Sequence, residues 1–397
     1  MKQVDDIFPA YFNAPIGPCS SLRRFYRNRE TMKKYGYDWS WYSLDYLYSE
    51  SGNDSPIDFS KGQDVRAKLK QYIKRSRFLS VLFNLRTRHR DHQLVKSYMK
   101  LGRKPDIVVF HENNCAEYFL KHNPNSGATK VLLWHQDDGI RMKMELQSYP
   151  KLQGGLFAKW LRKRACHIDH SVDGIVHISH IANDCFRQEN PDISQSKLWS
   201  FHNGIDDSPI VQREKVTKFK YNLCTTGTVC HRKGQYLIVE ALGMLTESVR
   251  SKIHVSIIGT GNDLSTLVNR VAELGISENI TFCGVIPNSE VHNYLCGCDI
   301  YILMSNSEGL PISIIEGMRA GLGVISTPVA GIPEMVGTDN GLLIEPDANQ
   351  LANVLQNIDH YDWEQLGKNS RKKFEEEYTF THMLASYCDV LDKLTAR

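Results

Sequence analysis

Asn306-Ser307-Glu308-Gly309-Leu310-Pro311-Ile312-Ser313-Ile314-Ile315-Glu316 decides the fold class. The apolar run from Tyr301 to Met304 before it reads as a buried strand. A glycine-containing loop follows, and Pro311 suits a first helical turn, where no backbone donor is needed. Strand, glycine loop and helix in that order point to a parallel α/β sheet. The free N–H groups and partial positive charge of the helix start suit an anion such as a diphosphate. Glu308 and Glu316 are eight positions apart. Carboxylates would repel a phosphate, so the hydroxyls of a sugar and a ribose are better partners for them. Spacing alone also fits a capped helix carrying two solvent-facing acids.

The alternation continues on both sides. Strands are expected over 219–226, 254–258, 280–283, 299–304, 323–326 and 341–344, with helices over 235–245, 263–274, 290–296 and 312–320. This is a doubly wound unit from about 205 to 370, with a terminal helix expected over 371–397. Thr226-Gly-Thr-Val-Cys-His-Arg232-Lys233-Gly-Gln235 follows a strand and opens a helix. Its Arg–Lys pair therefore stands at the carboxyl edge of the sheet, where ligands of open α/β sheets bind. A guanidinium fork and an ammonium point charge together match a diphosphate, although a solvated basic helix start has the same sequence. Ile257-Ile-Gly259-Thr-Gly261-Asn-Asp263 lets a ligand or another backbone segment come close. It lacks the third glycine of a dinucleotide fingerprint, which argues against a nicotinamide cofactor.

The N-terminal half is less regular. Short strands are expected at 106–110, 130–134 and 171–179, a further one within 37–48, and helix over 61–104. Val4–Phe8, with two aspartates, reads as a poor strand. His135 stands at a strand end, where it is either structural or a substrate contact. Asp137 and Asp138 have no second carboxylate group at a ligand spacing, and Cys296 and Cys298 have no partner pair at zinc spacing. No Gly-x-Ser-x-Gly nucleophile and no Walker loop occurs.

Composition agrees with a globular chain of about two domains: 397 residues, 41% hydrophobic and 23% charged. No apolar run reaches the ~20 residues of a membrane span. The opening MKQVDDIFPAYF does not read as a signal peptide, and ten scattered cysteines read as reduced thiols in a cytosolic protein. Net charge is only +3, but residues 66–104 hold thirteen Lys/Arg against Asp91 alone. That asymmetry predicts an anionic partner for the N-terminal half.

Taken together, these features resemble the family 4 retaining glycosyltransferases of GT-B fold (glycosyl transferases group 1). The residues that carry the resemblance are His202-Asn-Gly-Ile-Asp206, Gly227…Arg232-Lys233-Gly234, Ile258-Gly-Thr-Gly261, Phe282-Cys-Gly284-Val285, Ser307-Glu-Gly-Leu-Pro-Ile-Ser-Ile-Ile-Glu316, Gly331-Ile-Pro-Glu334 and Asn340-Gly-Leu-Leu. The match is strong over about 170–375 and weak before 105. It implies two Rossmann-like doubly wound domains facing a cleft. These would be an acceptor-binding domain at 1–203, a nucleotide-sugar domain at 204–372, and a C-terminal helix at 373–397 crossing back to the first domain.

By the same resemblance, Arg232 and Lys233 would stabilise the diphosphate, Glu308 would bind donor-sugar hydroxyls and Glu316 the ribose. The backbone around Gly309, Leu310, Ile312 and Ser313 would hold phosphate, and Val285 would lie by the base. His135 would stand near donor sugar and acceptor. Within Asn13-Ala-Pro-Ile-Gly17-Pro18, Gly17 would be the donor-contacting loop glycine of the first domain. The resemblance implies a UDP- or GDP-sugar donor, a glycan or lipid-linked acceptor, no cofactor and no required metal. It places the protein in the cytoplasm, or peripherally on the inner membrane face through residues 66–104. The alternatives are a non-catalytic carbohydrate- or membrane-binding protein and an epimerase on the same fold. Nucleic acid is not expected, since no RNP or helix-turn-helix pattern occurs.

Overall fold

The computed structural model describes residues 1–12, 17–45, 69, 72–123, 127–140, 142–211 and 215–396. Residues 13–16, four of those in the loop around Gly17, and five residues of the basic stretch (66–68, 70 and 71) lie outside the described residues. The chain forms two compact units: residues 1–201 with 383–397, and residues 202–382.

Unit 1 is built on six parallel strands in the order β2-β1-β3-β4-β5-β6. These are β1 (Lys2–Ile7), β2 (Tyr37–Tyr42), β3 (Ile107–Phe110), β4 (Lys130–His135), β5 (Gly174–His177) and β6 (Leu198–Ser200). The segment expected to be a poor strand is β1, paired on both sides, with Val4 opposite Trp39 and Ile107. Its aspartates are buried and each is paired, although Asp6 Oδ2 has no hydrogen-bond partner. Asp5 takes two bonds of 2.8 Å from Arg103 and one of 2.7 Å from Tyr98 Oη. Asp6 lies 2.8 Å from His111 Nε2. A buried carboxylate is tolerated when it is paired in this way.

Helix Arg77–Lys100 runs within the expected helical stretch. Leu82 and Leu85 of this helix are exposed rather than core-facing. Neighbouring Phe83 and Val81 pack instead on a satellite cluster around Leu146, Leu152 and Leu161.

Unit 2 repeats the scheme, in the order β12-β11-β10-β7-β8-β9. Its strands are β7 (Tyr221–Thr226), β8 (Ile253–Ile258), β9 (Ile280–Gly284), β10 (Ile300–Leu303), β11 (Gly323–Ser326) and β12 (Gly341–Leu343). Every pairing is parallel. The central strands β8, β10 and β11 are buried at every position, as strands covered on both faces must be. The single terminal helix expected from 371 is instead two, Trp363–Glu377 and Phe380–Thr395, broken at Tyr378 and Thr379. Thr379 forms a bridge with Ile205, which needs an extended backbone there.

Candidate donor site at the carboxyl edge of unit 2

The site grows from the ends of β7 and β10. Beyond β7, a single 3-10 turn, His231–Lys233, ends in Gly234 with φ +69°. A side chain at Gly234 would place its Cβ 1.9 Å from the Met304 carbonyl oxygen, so only glycine lets this turn lie against the end of β10. Asn306 N then donates to Arg232 O at 2.9 Å. Arg232 Nη1 donates to Ser307 O at 2.6 Å.

This contact brings Arg232, Lys233 and Glu308 together. Glu308 is buried, and its Oε1 accepts from Lys233 Nζ at 2.8 Å, from Arg232 Nη1 at 3.1 Å and from Ser305 Oγ at 2.5 Å. Burial pushes the carboxyl up, but Lys233, Arg232 and the hydrogen bonds from Lys233 and Ser305 outweigh it. The net shift is downward from the ordinary range. Glu308 is therefore an anion at neutral pH.

Ser305 is a part of the site that sequence reading missed. It is fully buried, and its carbonyl accepts from Thr327 Oγ1 at 2.6 Å. The only available signal was its place at the strand end, three residues before Glu308.

The helix that follows is Ile312–Arg319, with Pro311 as its N-cap. Ile314 N donates to Pro311 O at 3.0 Å, so the amides of Ile312 and Ser313 precede the helical ladder. Leu310 is buried, and Gly309 O accepts from Gly331 N at 2.9 Å. That bond draws the 331–334 segment onto the site loop. Glu316 lies within the helix, half-buried, and its charge acts on Arg319.

Val285 is 74% exposed, just past the left-handed Gly284 that ends β9. The 259–261 glycines face backbone, not a ligand. A Cβ at Gly259 would come within 2.0 Å of Gly227 O, and one at Gly261 within 2.1 Å of Val229 O.

Two motifs read without a role also meet. His202 Nε2 lies 2.6 Å from Glu334 Oε2, and the His202 ring stacks on Tyr378 at 5.0 Å. Tyr378 Oη donates to Glu334 O at 3.0 Å.

The remaining predicted residues belong to unit 1. Gly17 begins helix Gly17–Arg27. His135 ends β4, stacked on His177 at 5.3 Å, with Asp169 and Asp137 at 3.7 and 3.9 Å from its ring nitrogens. His177 is buried against Asn183, and burial, then the neighbouring His135, lowers its pKa well below the usual value. The buried Asp6–His111 pair at the same edge went unread, because its members are 105 residues apart.

Residues 210–376 match the family model "Glycosyl transferases group 1". A putative teichuronic acid biosynthesis glycosyltransferase, TuaC of Bacillus subtilis, is 31% identical over 142 residues, 36% of this chain and 33% of the relative. A putative colanic acid biosynthesis glycosyltransferase, WcaL of Escherichia coli K12, is 28% identical over 167 residues, 39% of this chain and 41% of the relative. The matches thus span well under half of these curated relatives.

Two solved structures align over nearly the whole chain. Alr3699/HepE of Anabaena, in complex with UDP, gives a TM-score of 0.69 at 13% identity, covering 99% of this chain and 100% of that one. Sucrose-phosphate synthase of Thermosynechococcus elongatus gives 0.70 at 15% identity, covering 100% of each. These likenesses show the GT-B fold. Over residues 210–376, the chain is similar to the glycosyl transferases group 1.

Proposed function

We propose that this protein is a retaining, family 4-type glycosyltransferase that moves a sugar from a nucleotide-diphosphate sugar to a glycan or lipid-linked acceptor in surface polysaccharide or glycolipid synthesis. One observation carries the reading: a buried carboxylate, Glu308, held at 2.8–3.1 Å by Lys233 and Arg232 next to the start of a helix.

In this reading, donor binding exchanges partners. The diphosphate takes Arg232, Lys233 and the amides near Leu310, Ile312 and Ser313. Glu308 is released to accept hydrogen bonds from the donor-sugar hydroxyls, and Glu316 accepts from the ribose. As the bond from the anomeric carbon to phosphate oxygen breaks, negative charge grows on the leaving diphosphate, where cations and amides are already aimed. The acceptor oxygen bonds to the same face of that carbon and passes its proton to the leaving phosphate. This geometry retains configuration and needs no enzyme nucleophile. Val285 completes the donor contacts of unit 2. No cofactor is required, and neither is a metal.

The test is thermal stability against UDP, GDP, ADP and their sugars, with UDP first. A ligand at 100 times its Kd stabilises by about 2.7 kcal/mol. A shift with one nucleotide class that Arg232→Ala abolishes supports the reading. No shift with any nucleotide overturns it in favour of a non-catalytic protein.

A cytoplasmic site at the membrane surface fits the same reading. Phe78, Leu82 and Leu85 recur along one helix face at 75, 53 and 42% exposure, and Leu156 is 81% exposed. Lys159, Arg162 and Lys163 flank Leu156, also exposed. Apolar side chains among cations suit an anionic lipid surface. Co-sedimentation with anionic but not neutral vesicles, lost in Phe78→Asp/Leu82→Asp, is expected. Equal recovery of the parent protein with both vesicle types would remove the membrane from the reading.

A further inference from the structure

At the carboxyl edge of the unit 1 sheet, a cavity of about 340 Å³ lies between residues 8–10, after β1, and 112–114, after β3. Its outer walls are helices Arg77–Lys100 and Leu156–Ser171. Both its place and its size are those of small-ligand sites in open α/β sheets.

The lining combines aromatic rings (Phe8, Phe83, Trp160), amides (Asn84, Asn113) and guanidinium groups. Arg88 and Arg164 lie over the Trp160 ring at 5.8 and 4.9 Å. Arg88 makes two bonds to the Glu117 carboxylate, at 3.1 and 3.2 Å. Arg164 is mostly buried. Its Nε lies 3.7 Å from the same carboxylate, and its Nη2 donates at 2.6 Å to the neutral Asn114 Oδ1. Two guanidiniums therefore share Glu117. Of the carboxylates that line the cavity, Asp91 is held by Arg90 at 2.8 Å, and Glu112 is exposed at the rim. What the wall offers is two guanidiniums sharing one carboxylate, the buried Asn113 Oδ1 as an acceptor without a partner, and apolar ring faces.

We propose that this cavity binds an acidic sugar of the acceptor, with Arg88 and Arg164 receiving its anionic group and the amides its hydroxyls. The anion is a carboxylate or a phosphate ester, since a guanidinium fork matches either. This deepens the transferase reading and rests on it for the word acceptor.

The experiment is saturation-transfer NMR on the full chain with glucuronate, glucose 6-phosphate and glucose at millimolar concentration. Binding of one or both acids and not of glucose is expected, and which acid binds tells carboxylate from phosphate. Arg164→Gln weakens it by roughly ten- to a hundredfold, the loss of a charged hydrogen bond. Thr87→Glu, which places a carboxylate on the cavity wall and leaves the Arg88–Glu117–Arg164 set intact, does the same. The UDP-induced thermal shift persists in both variants, which shows that the fold and the donor site survive.

Glucose binding as well as the acids overturns the proposal. So does binding of neither acid, or variants that bind like the parent. A parent protein that takes up the acids but no nucleotide overturns the transferase reading instead.

Discussion

Both sheets are six-stranded and parallel, yet their carboxyl edges are made of different material. In unit 2 the edge is backbone. Gly227, Gly234, Gly259 and Gly284 all have positive φ, and the loops press together at distances that leave no room for a Cβ at Gly234, Gly259 or Gly261. One charged cluster, Glu308 with Arg232 and Lys233, is set among them. In unit 1 the edge is side chains: Asp6, His111, Trp134, His135 and His177, with ring centroids 4.9–5.3 Å apart. A backbone edge offers amides and suits a ligand whose shape is constant, such as a diphosphate. A side-chain edge can be changed one residue at a time without disturbing the sheet beneath it. In the function proposed above, the side-chain edge is the one expected to set acceptor choice.

The largest expected effect separates two buried carboxylates. Glu308→Gln keeps the shape of the site but removes the charge, and transfer should fall by about 10²–10³-fold, as when one transition-state contact is lost. Asp5→Asn in unit 1 strands Arg103 and should cost about 3 kcal/mol in urea unfolding while leaving kcat per folded molecule unchanged. Equal rate losses in the two variants would erase the distinction.

Next come the glycines. Gly261→Ala drives a methyl into Val229 backbone and should cost about 3 kcal/mol. Gly102→Ala in unit 1, at φ +64° with open space around it, should cost about 1 kcal/mol. Similar unfolding midpoints for the two would mean that the loop contact in unit 2 gives way.

The smallest effect is on pH dependence. His177 has a lowered folded pKa, so the unfolded chain binds its proton first as pH falls. Stability then declines below about pH 6.5, by at most about 1.4 kcal/mol per pH unit for that residue. His254 and His292, lowered by burial, act the same way in unit 2. Glu308 acts in the same direction but at lower pH. Its folded pKa is depressed, so its contribution is present above about pH 4.3 and is lost only as pH falls through the folded value. Urea unfolding of His177→Asn between pH 5 and 7 should be flatter than the parent's, and an unchanged slope would show that His177 does not carry a share.

How much was legible follows from the same contrast. Unit 2 was readable because its site uses local grammar: a strand, a glycine and a helix start within about ten residues. The Arg232–Lys233 turn and Glu308 are far apart in sequence, but each announces itself at its own strand end. The 3-10 turn and the Ser305 support have no such grammar. In unit 1, β1 was misread because Asp5 and Asp6 count against a buried strand until Arg103, Tyr98 and His111 are known to meet them. Those partners are 93–105 residues away. The helix 77–100 was foreseen, but not its orientation, since apolar residues occur on more than one of its faces. The terminal break at Tyr378 was hidden because Glu377 and Phe380 both belong to good helical sequence. Only the distant bridge to Ile205 requires an extended residue between them.

The closing helix has a consequence for how the protein is made. Tyr387, Leu391 and Leu394 are buried, and Tyr387 packs on Trp134 and Phe25 in the first unit. During synthesis that unit emerges first but lacks this layer of its core. The ribosome must add the whole of 202–382 before supplying it, roughly 10–40 s at ~5–20 residues per second. The later unit is thus contiguous and can finish first, while the earlier one waits with an open aromatic face. Birth order and completion order are reversed, and that interval is when a chaperone would find its client.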